Sequence, residues 1–142
     1  MTQSVVIDTN VAIAVLRDKP RAVRRRYRES VRDGMDVWMS TISLFELWYG
    51  VARSSHVQLN TERLRTFLAG PINVAGFTST DAANAGELRA QLTATGTPVG
   101  PYDLLIGAQA MRLGGRLVTA NGREFERVPG LVVEDWTVAT NT

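Results

Sequence analysis

A parallel β-sheet covered on both sides by helices, a three-layer α/β/α sandwich of about five strands, is the fold class that this sequence predicts. Short β-branched or apolar runs alternate with longer segments of helical periodicity along nearly the whole chain, the pattern of repeated βαβ units. Several of the short runs carry apolar residues on both faces, which implies a sheet covered on both sides. At 142 residues the chain is long enough to bury about 70% of the surface its unfolded form exposes. No repeat, low-complexity tract or linker interrupts it, and residues 1–142 read as one domain.

"SVVID" (4–8) is a short strand and "VAIAVLRD" (11–18) a helix. "PRAVRRRYRESVRDG" (20–34) is a second helix, with Pro20 early and Gly34 at its end. The strand "DVWMS" (36–40) leads into the helix 41–55, with Thr41 as its N-cap, and "VQLNTERLRTFLAG" (57–70) continues as helix. "INVAGF" (72–77) is the third strand, and 79–94 a helix capped by Ser79 or Thr80. After the loop 96–101 come the helix "YDLLIGAQAMRLGG" (102–115), the strand "RLVTAN" (116–121) and the last strand "LVVEDW" (131–136).

Composition removes several chemistries. With no cysteine, disulfides, thiolate nucleophiles and Cys-type metal sites are excluded. The single histidine, His56, sits at a predicted helix end and reads as a solvated or capping residue, which leaves Ser–His, zinc–His and paired-histidine mechanisms without their parts. The single lysine, Lys19, lies inside the basic stretch and no GxxxxGK[ST] occurs, which argues against a P-loop nucleotide hydrolase. No apolar run is long enough to span a bilayer, and no leader pattern is visible. The expectation is a soluble, cytoplasmic protein.

Net charge is only +2, yet eight of the sixteen Lys and Arg residues fall within 17–32. At 100° per residue, Arg21, Arg24, Arg25, Arg28 and Arg32 share an arc of about 100°, beside an apolar stripe of Val23, Tyr27 and Val31. Such a face suits the phosphates of a polyanion, an acidic partner or simple solvation.

Ligands of open parallel sheets sit beyond the carboxyl ends of the strands. Asp8 ends the first strand at that edge, where it either caps the following helix or ligates a cation. Glu46 lies in "LFELWYG" and pairs either with an arginine such as Arg53 or with a cation, since unpaired burial of a carboxylate is costly. Asp103, in the first turn of its helix, is favoured there by the helix dipole in any case. Asn121 follows the fourth strand, with Glu124 three residues on, and Asn before Gly is also a common turn pair. Taken together, acids gathered at one edge without arginine partners require a divalent cation, and all-oxygen ligands select Mg²⁺ or Mn²⁺. That leaves metal-assisted hydrolysis of a polyanion. A phosphomonoesterase with Asp8 as nucleophile would want a second acid at position 10, which is Asn10, and a lysine later in the chain, where the single lysine, Lys19, falls within the arginine-rich stretch instead.

In this order and spacing, "VVIDTNVAI", "STISLFELWYG", "PYDLLIGAQA" and "LVTANGREFERVPGLVVEDW" resemble the PIN-domain ribonucleases, specifically the VapC toxins of toxin–antitoxin pairs. The resemblance implies the PIN-like sandwich, an Mg²⁺- or Mn²⁺-dependent endoribonuclease, a homodimer, and inhibition by a cognate VapB-type antitoxin. By position, Asp8 and Asp103 become the principal metal ligands and Glu46 a third acid, binding directly or through water. The family's fourth position is often Asp; here it is Asn121, with Glu124 available to supply charge. Thr9, Asn10 and Thr119 become supports of the site. The departure at Asn121 keeps a second reading open, a non-catalytic module that binds nucleic acid or a partner.

Overall fold

The computed structural model describes residues 3–138. Five strands, β1 (Ser4–Ile7), β2 (Asp36–Ser40), β3 (Asn73–Ala75), β4 (Arg116–Val118) and β5 (Val132–Glu134), form one sheet in the order β3-β2-β1-β4-β5. Every pairing is parallel, with Val5 opposite Val37 and Val6 opposite Leu117. The chain builds outward from β1 to β3, then returns across β1 to place β4 on its other side. The strand order therefore reverses between β1 and β4, and a crevice opens beyond their carboxyl ends, the place where open α/β sheets bind ligands.

Seven helices surround the sheet: α1 (Thr9–Arg17), α2 (Arg21–Arg32), α3 (Thr41–Ala52), α4 (Val57–Ala69), α5 (Ser79–Ala94), α6 (Pro101–Arg112) and α7 (Gly122–Phe125). Alternation along the strands divides the core into two clusters. Val5, Ile7, Val37, Met39 and Val118 pack with Val11, Val15, Val23, Tyr27, Leu47 and Leu64 of the α1–α4 layer. On the opposite face, Val6 and Leu117 pack against Ile106 and Ala110 of α6 and Phe125 of α7.

Element boundaries differ from the sequence reading wherever a polar side chain decided them. Asp8 accepts a hydrogen bond from the Val11 N–H at 2.9 Å, so α1 begins at Thr9 rather than at Val11. Ser40, not Thr41, caps α3, its hydroxyl accepting from the Ile42 N–H. Thr78, not Ser79 or Thr80, caps α5 in a reciprocal capping box with Asp81. The third, fourth and fifth strands are shorter than the apolar runs suggest, and the residues after β4 turn into α7, a helix the sequence reading did not anticipate.

Two buried polar side chains hold α6 in place. Gln109, fully buried, donates its amide to the carbonyls of Ala75 (2.9 Å) and Gly76 (3.1 Å) just beyond β3. The Arg112 guanidinium makes two hydrogen bonds to the buried Asp81 carboxylate, at 2.6 and 2.9 Å, fixing the end of α6 to the start of α5. This arginine, helped by the Thr78 donors, holds the Asp81 carboxyl below the usual carboxylate range. The pair therefore stabilises the fold above the unfolded carboxyl value of about 3.9 and loses that contribution as pH falls through the lower folded value. Arg112→Met should lower unfolding free energy at pH 7 by about 2–3 kcal/mol, since it strands a buried charge. In urea titrations the gap between variant and native protein should close only below about pH 4; a gap unchanged at pH 2.5 would refute this account.

Candidate active site

Asp8 occupies the reversal point of the sheet. Its backbone N–H still bonds the Val118 carbonyl of β4 at 3.1 Å, so the residue is fixed in the strand while its side chain enters the crevice. One carboxylate oxygen accepts from Val11 N–H and the other from the Thr119 hydroxyl at 2.5 Å. That hydroxyl accepts in turn from the Asn121 N–H at 2.9 Å. The capping and site readings of Asp8 are thus not exclusive, because one carboxylate starts α1 and faces the cleft. Burial pushes its carboxyl above the ordinary range; the Thr119, Val11 and Asn10 donors work against this, and the Glu46 charge adds to it.

A cleft of about 490 Å³ is lined by Asp8, Thr9, Asn10, Ile13, Phe45, Glu46, Tyr49, Tyr102 and Asp103. Glu46 does not pair with Arg53. It accepts from the Thr9 hydroxyl at 2.6 Å, and that hydroxyl also lies 3.0 Å from the buried Ser43 Oγ. Asp103 enters from the first turn of α6. Burial raises its carboxyl to about 6, and repulsion from Glu124, Asp8 and Glu46, in that order, contributes to the rise. The four acids are therefore electrostatically coupled. Among the described residues, none of them has a Lys or Arg nitrogen within ion-pair distance. Nor do any three His, Asp or Glu side chains there stand close enough together to hold a metal ion among themselves.

Asn121 and Glu124 stand beside the cleft rather than along its lining. Glu124 accepts from the Gly100 N–H at 2.6 Å with one oxygen and from the Asn121 amide at 2.7 Å with the other. It thereby ties α7 to the residue that precedes α6 and, with it, Asp103. A Cβ at position 100 would lie 3.3 Å from that Glu124 oxygen, which favours glycine there.

The arginine face lies elsewhere, for none of its members lines the acid cleft. Among the described residues, Arg24 alone of the five also has hydrogen bonds within the fold. Its guanidinium donates to the Val15 and Leu16 carbonyls at 2.7 and 3.0 Å and approaches Asp18 at 3.4 Å, closing the end of α1. Arg21, Arg25, Arg28 and Arg32 remain exposed. His56 precedes α4 without a capping bond from its side chain. Sequence reasoning also passed over Gln109, although it was the single polar residue within "LLIGAQAM", and over the aromatic lining of the cleft.

An open parallel sheet with unneutralised carboxylates at its reversal point defines an acid-cleft α/β domain, and similarity to known proteins gives the family. The model of the PIN domain matches residues 5–131. The tRNA(fMet)-specific endonuclease VapC of Salmonella typhimurium is 37% identical over 92% of this chain and 96% of its own length. Ribonuclease VapC2 of Rickettsia felis is 32% identical over the same shares. Among solved structures, VapBC2 of Rickettsia felis bound to a promoter DNA fragment superimposes with a TM-score of 0.87 at 29% identity, covering 94% of this chain and 99% of that one. DNA-bound VapBC of Salmonella typhimurium gives 0.85 at 36% identity, covering 96% and 99%. The chain belongs to the PIN-domain family, among its VapC ribonucleases.

Crowded acids oppose folding, and Asp103 does so in a pH-dependent way. Below about pH 3.9 the carboxyl is protonated in both folded and unfolded chains and contributes nothing. Between there and about 6 the unfolded chain ionises first, so stability falls as pH rises, and above 6 the penalty is constant. In chelator, Asp103→Asn should therefore be more stable than the native protein by about 1–2 kcal/mol at pH 8 and equal to it near pH 3.5. Thermal melts across that range would check this, and a variant less stable at pH 8 would refute it.

Proposed function

We propose that this chain is a divalent-cation-dependent endoribonuclease, the toxin of a toxin–antitoxin pair, neutralised by a VapB-type antitoxin. One observation carries the reading: Asp8, Glu46 and Asp103 line a single cleft at the sheet's reversal point with no basic side chain to neutralise them. The relatives named as ribonucleases and the VapBC neighbours support it. Residues 1–142 act as one such domain, a homodimer in the cytoplasm.

Asp8 and Asp103 would hold Mg²⁺ or Mn²⁺, with Glu46 binding directly or through water. The donor set fits such an ion. Its oxygens are hard, their mutual repulsion asks for positive charge, and Mg²⁺ takes one or two carboxylates while keeping several waters, so no closed cage is needed. A bound cation supplies Lewis-acid polarisation of the phosphodiester. Thr119 holds Asp8 in orientation, Thr9 holds Glu46, and Asn10 flanks them on α1. Glu124 and Asn121 position the start of α6, and with it Asp103, through Gly100. The name of the Salmonella typhimurium relative makes tRNA the first substrate to test.

Asp8→Asn and Asp103→Asn should each fold and each lose RNA cleavage and growth arrest by at least about 100-fold; undiminished cleavage by both would overturn the site. Arg21, Arg25, Arg28 and Arg32 are assigned to polyanion contact outside the cleft. Arg25→Glu combined with Arg28→Glu should raise KM by about tenfold and flatten its salt dependence. Unchanged cleavage with weakened antitoxin binding would move that face to the antitoxin.

A further inference from the structure

The sequence contains four Phe, three Trp and three Tyr. Seven of these are buried or half-buried, and the three that are exposed, Phe45 (54%), Tyr49 (59%) and Tyr102 (47%), all line the acid cleft. Phe45 immediately precedes Glu46, Tyr49 lies one turn further along α3, and Tyr102 immediately precedes Asp103. Across the cleft the Phe45 and Tyr102 rings meet edge to face, with centroids 5.8 Å apart and planes at 64°. Tyr49 carries the Arg53 guanidinium 5.4 Å from its ring centroid.

Neither a phosphate nor a hydrated cation has use for an apolar ring, and rings left in water forgo the stabilisation of burial. A nucleobase does have use for one, because every base has a π-face to stack. Paired bases are already stacked inside a helix, whereas bases of loops and bulges can splay onto protein aromatics. Building on the ribonuclease reading above, we propose that Phe45, Tyr49 and Tyr102 form a stacking surface for unpaired bases beside the scissile phosphate, selecting loops over duplex. The edge-to-face contact ties the α3 and α6 rings into one surface, and Arg53 backs Tyr49 with a charge suited to the neighbouring phosphate.

The test uses a stem–loop RNA carrying 2-aminopurine at single loop or stem positions, titrated with the full-length protein in chelator so that binding is read without cleavage. Fluorescence should be quenched at loop positions and unchanged in the stem. Phe45→Leu and Tyr102→Leu, exposed substitutions to a good helix former, should abolish the quench. In Mg²⁺ they should raise KM for RNA cleavage about tenfold with kcat within about twofold; Tyr102→Phe should behave as native. Equal responses at loop and stem, or leucine variants with native quench and KM, would overturn the proposal. So would leucine variants that convert a dimer to a monomer in sedimentation while binding RNA normally, which would assign the rings to a self-contact. Cleavage without loop quenching refutes stacking alone, and quenching without cleavage of any RNA refutes the ribonuclease reading while upholding the surface.

Discussion

The short hydrogen bond from Thr119 to Asp8 joins the two strands between which the sheet reverses. β1 delivers the carboxylate and β4 delivers the hydroxyl, so the contact exists only if both strands end at the same height in register. The second oxygen of Asp8 is committed to the N-terminus of α1. A single buried acid thus fixes where the central strand stops, where the first helix starts and which way charge points into the crevice. An apolar residue could end the strand and a serine could cap the helix; only an acid does both and still brings charge to the cleft.

Asp103 has no such strand beneath it and is positioned by its helix. α6 is held at three points: Gln109 on the carbonyls beyond β3, Arg112 on Asp81 at its far end, and Glu124 on the amide of Gly100 at its near end. These bonds lie on the sheet face opposite the α1–α4 layer, so the two principal acids reach one cleft from different layers. Relative placement of the acids is consequently a property of the whole sandwich, and damage to a remote contact such as Arg112–Asp81 would be felt as misalignment.

The site also works against the fold. Burial and mutual repulsion raise the carboxyls of Asp8 and Asp103, and no arginine relieves them although the chain is rich in arginine. The basic residues are spent elsewhere: Arg24 closes α1, Arg26 and Arg116 bind Glu134, and Arg112 binds Asp81. An ion-paired cleft would be more stable and could not take a cation. Retaining unbalanced charge at one edge is the exchange of stability for function that active sites commonly show.

The sequence by itself determined the layered α/β class, the order of the strands along the chain and the acids worth suspecting. β-branched runs alternating with helical periodicity leave few ways to bury both faces of a sheet, and carboxylates at strand ends or among apolar residues are costly enough to stand out. Local polar decisions escaped it. Ser40 and Thr78 displaced their neighbours as caps, and α7 arose from a turn too short to show periodicity. The roles of Arg24, Gln109 and Glu124 could not be read from spacing, since each bonds a main-chain group or partner that only folding brings near. Nor could the aromatic rim: Phe45 and Tyr49 look like core in "LFELWYG", and only the packing of α3 against α6 decided that they face the acids and water instead of the interior.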